Sequence, residues 1–360
     1  MRKQPVTEEQ VLAALSQVKD PELGRDLVTL GMVQNVRVRD GAVGLTLVLT
    51  TPACPMRGQI QEAAEVAVRG IPGVNDVRVE MSSRVAARAG APGEDLVPGV
   101  KNIVAVASGK GGVGKSTVAT NLAVALAQMD ASVGLLDADI YGPSIPTMMG
   151  ATERPAVKKE RLLPVARHGV KLMSLGFLLE ASAPVIWRGP MVAGAIRQLL
   201  SDVDWGDLDY LLVDLPPGTG DAQLTLAQSV PLTGVVVVMT AQDVALSIAT
   251  KALMMFRKMD VPVLGVVENM SSFVCPHCRE ETAIFGREGD GERAATRLDV
   301  PFLGRVPLEP AIVAEGDRGT PSVAARPDSR PAQAFRDIAR TMAGRISILN
   351  LNRDGALSGK

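Results

Sequence analysis

Between residues 102 and 269 the chain repeats one pattern of polarity. Short unbroken apolar runs alternate with stretches in which apolar residues return every three or four positions. The runs are NIVAVAS (102–108), SVGLLDAD (132–139), LDYLLVDLP (208–216), GVVVVMTA (234–241) and VPVLGVVEN (261–269), and helical spacing fills 115–129 and 243–258 between them. A strand that is apolar on both faces belongs inside a sheet covered on both sides, and alternation with helices makes that sheet mostly parallel. The pattern predicts an α/β, doubly wound domain over 100–345.

The first 82 residues read differently. Thr7 and Gln10 stand in capping-box spacing ahead of Val11, Leu12, Leu15 and Val18, which predicts a short amphipathic helix over 7–18. Strands are predicted over 33–39 and 42–50, joined by the turn dipeptide Asp40-Gly41. A helix over 57–69 and a strand over 74–80 complete a small α+β unit. Residues 83–99 lose all periodicity and gain Ala, Gly and Pro, as a linker does. Near the other end, Phe335, Ile338, Ala339, Met342 and Ile346 share one helical face, predicting a closing helix packed on the sheet. Arg336, Arg340 and Arg345 raise the alternative of a helix lying in a membrane surface. Residues 346–360 are expected to be a flexible tail.

Composition narrows the function classes. Apolar residues make up 46% and charged residues 21% of 360, with a net charge of −1, so the basic excess of a general nucleic-acid binder is missing. The start, MRKQPVTEEQ, lacks the apolar core of a signal peptide, and no apolar run approaches a membrane span. Three cysteines, an odd number in so long a chain, argue for a reducing compartment. The expectation is a cytoplasmic protein with neither a membrane nor a nucleic acid as partner.

The chemistry begins at residue 108. SGKGGVGKST fits G-x-x-x-x-G-K-[ST] through Gly109, Gly114, Lys115 and Ser116, follows a predicted strand and opens a predicted helix. Lys110, Gly111, Gly112, Val113 and Thr117 complete the loop. Its glycines let backbone N–H groups converge on phosphate oxygens at a helix N-terminus. Lys115 would reach the β- and γ-phosphates, and the Ser116 hydroxyl would ligate Mg²⁺. Asp137, Asp139 and Asp214 end predicted strands, where ligands sit in such sheets. One of them could hold Mg²⁺ and another orient an attacking water. Asp214 is assigned to the magnesium and Asp137 and Asp139 to the reaction.

A second signal lies in SFVCPHC (272–278). Cys275 and Cys278 form a C-x-x-C pair with no second pair to complete a four-ligand site. Zinc or an iron–sulfur cluster shared between two chains, or a redox dithiol, all fit that spacing. His277 between them reads as solvated, and His168 sits in an Arg-His-Gly turn without a signal. Cys54 precedes a predicted helix whose N-terminus could lower its pKa and make it an accessory thiol; a buried small hydrophobe is the other reading.

Lys110, directly after the first glycine of the loop, resembles the extra lysine of the MinD, ParA and nitrogenase-reductase ATPases, where it reaches the partner subunit's nucleotide. DADIYGPSIPTMMG (137–150), WRGPM (187–191), DLPPGTGD (214–221) and ENMSSFVCPHC (268–278) resemble the Mrp/ApbC family of iron–sulfur cluster carriers. TTPACP (50–55) and its surroundings are similar to a small domain of iron–sulfur assembly factors. The resemblance implies an ATP- and Mg²⁺-dependent homodimer holding a labile [4Fe–4S] cluster between the Cys275–Cys278 pairs of two chains. A scaffold would load it and apo-proteins would receive it. It further implies an adenine contact at Asn269. Two alternatives accompany this expectation: a positioning ATPase with a structural zinc site, and an ATP-driven reductase.

Overall fold

The computed structural model describes residues 5–88, 96–178, 189–218, 223–224, 230–275, 277–278, 280–287 and 289–357. Residues 89–95 of the expected linker, the first two residues of WRGPM and the end of DLPPGTGD lie outside these. The chain divides into two compact units, one of residues 1–86 with 343–360 and one of residues 87–342.

The small unit runs α1 (Glu8–Leu15), β1 (Val33–Arg39), β2 (Ala42–Leu49), α2 (Arg57–Arg69) and β3 (Asp76–Ser83). The expected capping box is present, with Thr7 and Gln10 each accepting the other's backbone N–H. β2 lies between β1, antiparallel, and β3, parallel. Asp40 and Gly41 both take positive φ, 50° and 82°, the combination that a tight hairpin turn requires. Alternate residues of β2, from Val43 to Leu49, turn inward onto Leu15, Leu27, Ile60, Ala64 and Val68. Each such aliphatic side chain contributes about 1.5–3 kcal/mol by leaving water.

The large unit begins with β4 (Val100–Ala107), α3 (Lys115–Gln128), β5 (Val133–Asp137) and α4 (Ile145–Met148). β6 (Val157–Lys158) and β7 (Arg161–Leu162) pair with each other, and β8 (Val165–Arg167), β9 (Val170–Ser174) and α5 (Gly189–Ser201) follow. Then come β10 (Leu208–Asp214), β11 (Gly234–Met239), α6 (Asp243–Lys258), β12 (Val263–Val274) and β13 (Glu281–Thr282). The chain closes with α7 (Asp290–Arg297), β14 (Phe302–Leu308), α8 (Pro310–Asp317), α9 (Ser322–Ala325) and α10 (Arg330–Leu357). Nine strands form one sheet in the order β13-β12-β11-β4-β10-β5-β9-β8, with β14 also on β12. All its pairings are parallel except β12–β13 and β8–β9. The apolar runs of the sequence are its central strands, β11 being buried throughout.

Two expectations are corrected at the ends of these units. The tail expected to be flexible from 346 continues α10 to Leu357. Ile346 is buried, the Ser347 hydroxyl donates to the Thr50 carbonyl at 3.4 Å, and Asn350 Nδ2 donates to the Ala86 carbonyl at 3.1 Å. Those contacts assign 343–360 to the small unit, so that unit is discontinuous in sequence. Its other boundary falls after Ala86 rather than at 82, since the Arg88 amide already donates to the Lys101 carbonyl at 3.0 Å. Phe335, Ile338, Ala339, Met342 and Ile346 are all buried, as a packed helix requires. Among the described residues no helix is long and apolar enough to cross a membrane.

Candidate functional site

β4 delivers the chain from the middle of the sheet into the glycine loop, and α3 leaves it at Lys115. Gly112 and Gly114 both have φ of 78°, which ordinary side chains resist. A Cβ at Gly114 would also stand 2.2 Å from Asn269 Nδ2, so that amide would have to move away. That amide donates to the Val113 carbonyl at 2.8 Å. Asn269, expected at the adenine, here braces the loop.

Strand register builds the acidic side of the site. Asp214 of β10 pairs with Asp137 of β5, which in turn pairs with Ser174 of β9, so three polar side chains line up across three strand ends. Lys115 bridges into this row, donating to Asp214 Oδ1 at 2.7 Å and standing 3.9 Å from Asp139 Oδ2. The Ser116 hydroxyl donates to Asp214 Oδ2 at 2.5 Å. Asp214 is wholly buried and Lys115 nearly so. Asp137 accepts from the Asp139 amide, the Ser174 hydroxyl and, at 3.3 Å, the Ile145 amide.

The electrostatics follow from this crowding. Burial, reinforced by the Asp214 charge, raises the Asp137 carboxyl to about 7. Burial also raises Asp214 and Asp139, with Lys115 opposing it at both. A hydroxyl and a carboxylate already in contact are the hard oxygen donors that Mg²⁺ selects, so Ser116 and Asp214 fit that ion. The loop's amides and Lys115 fit a phosphate chain. Ser174 escaped the sequence reading because only strand register brings it to Asp137. Lys110 bonds within its own chain, its ammonium donating to Gln242 Oε1 at 2.9 Å. The loop after Asp214 is tied to the glycine loop by the Gly218 amide, which donates to the Ser108 carbonyl at 3.0 Å.

The cysteine pair belongs to another part of the same sheet. β12 runs on to Val274, and Cys275 and Cys278 occupy the turn into edge strand β13. Cys275 is half-buried and Cys278 exposed. The amides of Cys278 and His277 hold the Cys275 thiol below its usual pKa. Beside it a cleft of about 700 Å³ is lined by Phe273, Val274, Cys275, Leu308 and Arg330, among others. At the base of the turn Glu281 pairs with Arg330, and hydrogen bonds from Arg330 and Ser272 hold its carboxyl down at about 2. His168 lies elsewhere, its Nε2 3.1 Å from the Gly319 carbonyl.

Cys54 departs from the expectation of a helix-activated thiol. It packs against the core of the small unit, and burial, opposed by the Met56 amide, pushes its pKa up to about 11. The desolvation outweighs the helix N-terminus. Relative to a thiol of pKa 9.0, the thiolate fraction at neutral pH drops roughly a hundredfold. Native protein treated with iodoacetamide is therefore expected to label first at Cys278 and only on unfolding at Cys54. Equal rates at the two would restore the reactive-thiol reading.

Residues 99–343 match the family described as NUBPL iron-transfer P-loop NTPase, and residues 8–81 match that of iron–sulfur cluster assembly protein. An iron–sulfur cluster carrier protein of Synechocystis is 51% identical over 351 residues, covering 96% of this chain and 99% of its own. A nucleotide-binding protein of Archaeoglobus fulgidus, solved in complex with ADP, is 43% identical with a TM-score of 0.56, covering 62% of this chain and 90% of that one. The cell division ATPase MinD of Pyrococcus furiosus shares the fold, with a TM-score of 0.51 at 24% identity over 67% of this chain and 98% of that one.

Proposed function

Because this chain belongs to the iron–sulfur cluster carriers of the iron-transfer P-loop NTPase family, we propose that it hydrolyses ATP and carries a labile [4Fe–4S] cluster to apo-proteins. The cluster is cargo, and two copies of the chain hold it between them. The observation that carries this reading is the placing of Cys275 and Cys278 in an edge turn, where a second copy can approach. One chain offers two thiols there and a cluster takes four. A two-fold dimer supplies the missing pair, and opening that interface releases the cargo.

At the nucleotide, the backbone amides of Gly109–Thr117 bind the phosphate chain and Lys115 leaves Asp214 for the β- and γ-phosphate oxygens. Asn269 keeps the loop in shape and gives the adenine contact expected of it. Mg²⁺ held by Ser116 and Asp214 would supply charge neutralisation at the β- and γ-oxygens. Asp139 and Asp137 orient the attacking water, Asp137 having the pKa suited to taking up a proton near neutrality. Lys110, released from Gln242, serves the partner's nucleotide across the dimer.

Anaerobic reconstitution with iron and sulfide tests the cargo. The expected outcome is about four irons per two chains with broad visible absorbance. About one zinc per two chains without colour would instead establish a structural clip and a positioning ATPase.

A further inference from the structure

Among the described residues β13 is held to β12 by two residue pairs, Phe273 opposite Thr282 and Val274 opposite Glu281. The Cys275 amide adds one bond, to the Glu280 carbonyl at 3.0 Å. So short a ladder at a sheet edge has little stability of its own, and side chains reinforce it. Ser272 lies three residues before Cys275 and Glu281 three residues after Cys278. The Ser272 hydroxyl donates to Glu281 Oε1 at 2.6 Å, closing the neck of the loop that bears both thiols. Arg330, the first residue of α10, donates through its two terminal guanidinium nitrogens, to Glu281 Oε1 at 2.7 Å and Oε2 at 3.0 Å. That fork fixes a carboxylate in distance and in plane.

We propose that Glu281, gripped by Ser272 and Arg330, is a positioning residue that keeps the Cys275–Cys278 loop closed at its neck and so presents its thiols as a preformed metal-binding pair. The assignment rests on reading the pair as a metal site. A purely structural ion pair is the competing explanation. It fits poorly, because Glu281 and Arg330 are 46% and 57% exposed and pairs so exposed add little to global stability. What an exposed, bidentate, neck-closing pair can set is the geometry of the loop it closes, as outer-shell partners do for metal ligands.

The test is Cd²⁺ titration of the reduced, metal-free full chain, followed by thiolate-to-metal absorbance. Glu281→Gln is expected to weaken Cd²⁺ binding about tenfold, with the melting temperature of the metal-free chain lowered by no more than about 4 °C. Ser272→Ala should show a smaller loss in the same direction. Exchanging the pair, Glu281→Arg with Arg330→Glu, should recover most of the affinity that either change alone removes. A loss below about twofold in Glu281→Gln, or one that the exchange does not recover, overturns the proposal. Wild-type chains that bind Cd²⁺ through Cys275 and Cys278 yet take up no iron and sulfide would sink the cargo reading alone.

Discussion

Lys115→Ala is expected to lower ATP hydrolysis by roughly 10²–10³-fold, the usual effect of removing one fixed donor from developing transition-state charge. The substitution does more than remove a phosphate contact. It takes away the buried ammonium that Asp214 faces at 2.7 Å and leaves Asp214 beside Asp137 without that charge. Asp214 then takes up a proton, and Mg²⁺ affinity falls along with turnover. Direct titration with ATP, with and without Mg²⁺, alongside a melting curve, separates lost chemistry from lost folding. Lys110→Ala is expected to behave differently. Among the described residues its ammonium bonds to Gln242 at the edge of the loop, so ATP binding by single chains should persist while turnover drops. Unimpaired turnover in that variant would end the idea of a lysine supplied to the partner. Normal turnover in Lys115→Ala would remove the nucleotide site itself.

The second large effect concerns the shared cargo. When wild-type chains are mixed with the Cys275→Ala/Cys278→Ala variant before reconstitution, bound cluster should fall faster than linearly with the wild-type fraction. At equal amounts, random pairing leaves about one quarter of dimers with four thiols. Iron content and visible absorbance should fall together to that level. A linear fall to one half would mean that each chain binds metal alone and would overturn the shared site. Both cysteines stand in one short turn, so either single substitution should match the double.

Much of this was legible in the chain. A phosphate loop announces itself locally, because strand, glycine spacing, Lys115, Ser116 and helix are consecutive. The carboxylates were legible as strand ends, since apolar runs mark the strands and Asp137 and Asp214 close two of them. What stayed hidden depends on partners distant in sequence. Ser174 reaches Asp137 through register across β5 and β9. Asn269 reaches Val113 because β12 passes the loop. Burial decided Cys54, and no local pattern reports the depth of a single thiol. The clamp on Glu281 joins residues 49 positions apart, Arg330 among them, and each alone reads as an ordinary surface charge. The tail was misread for the same reason: its final turns are held by the Thr50 and Ala86 carbonyls, from the opposite end of the sequence.

That last feature bears on how the protein is made. On a ribosome an N-terminal domain usually matures first. Here residues 6–77 can gather their own apolar core early, but Ser347 and Asn350 are translated only after the whole nucleotide-binding unit. Until then the Thr50 and Ala86 carbonyls lack the donors that Ser347 and Asn350 bring. The unit that starts first is therefore finished last, and a fragment ending at Ala86 reproduces its nascent state rather than its mature one.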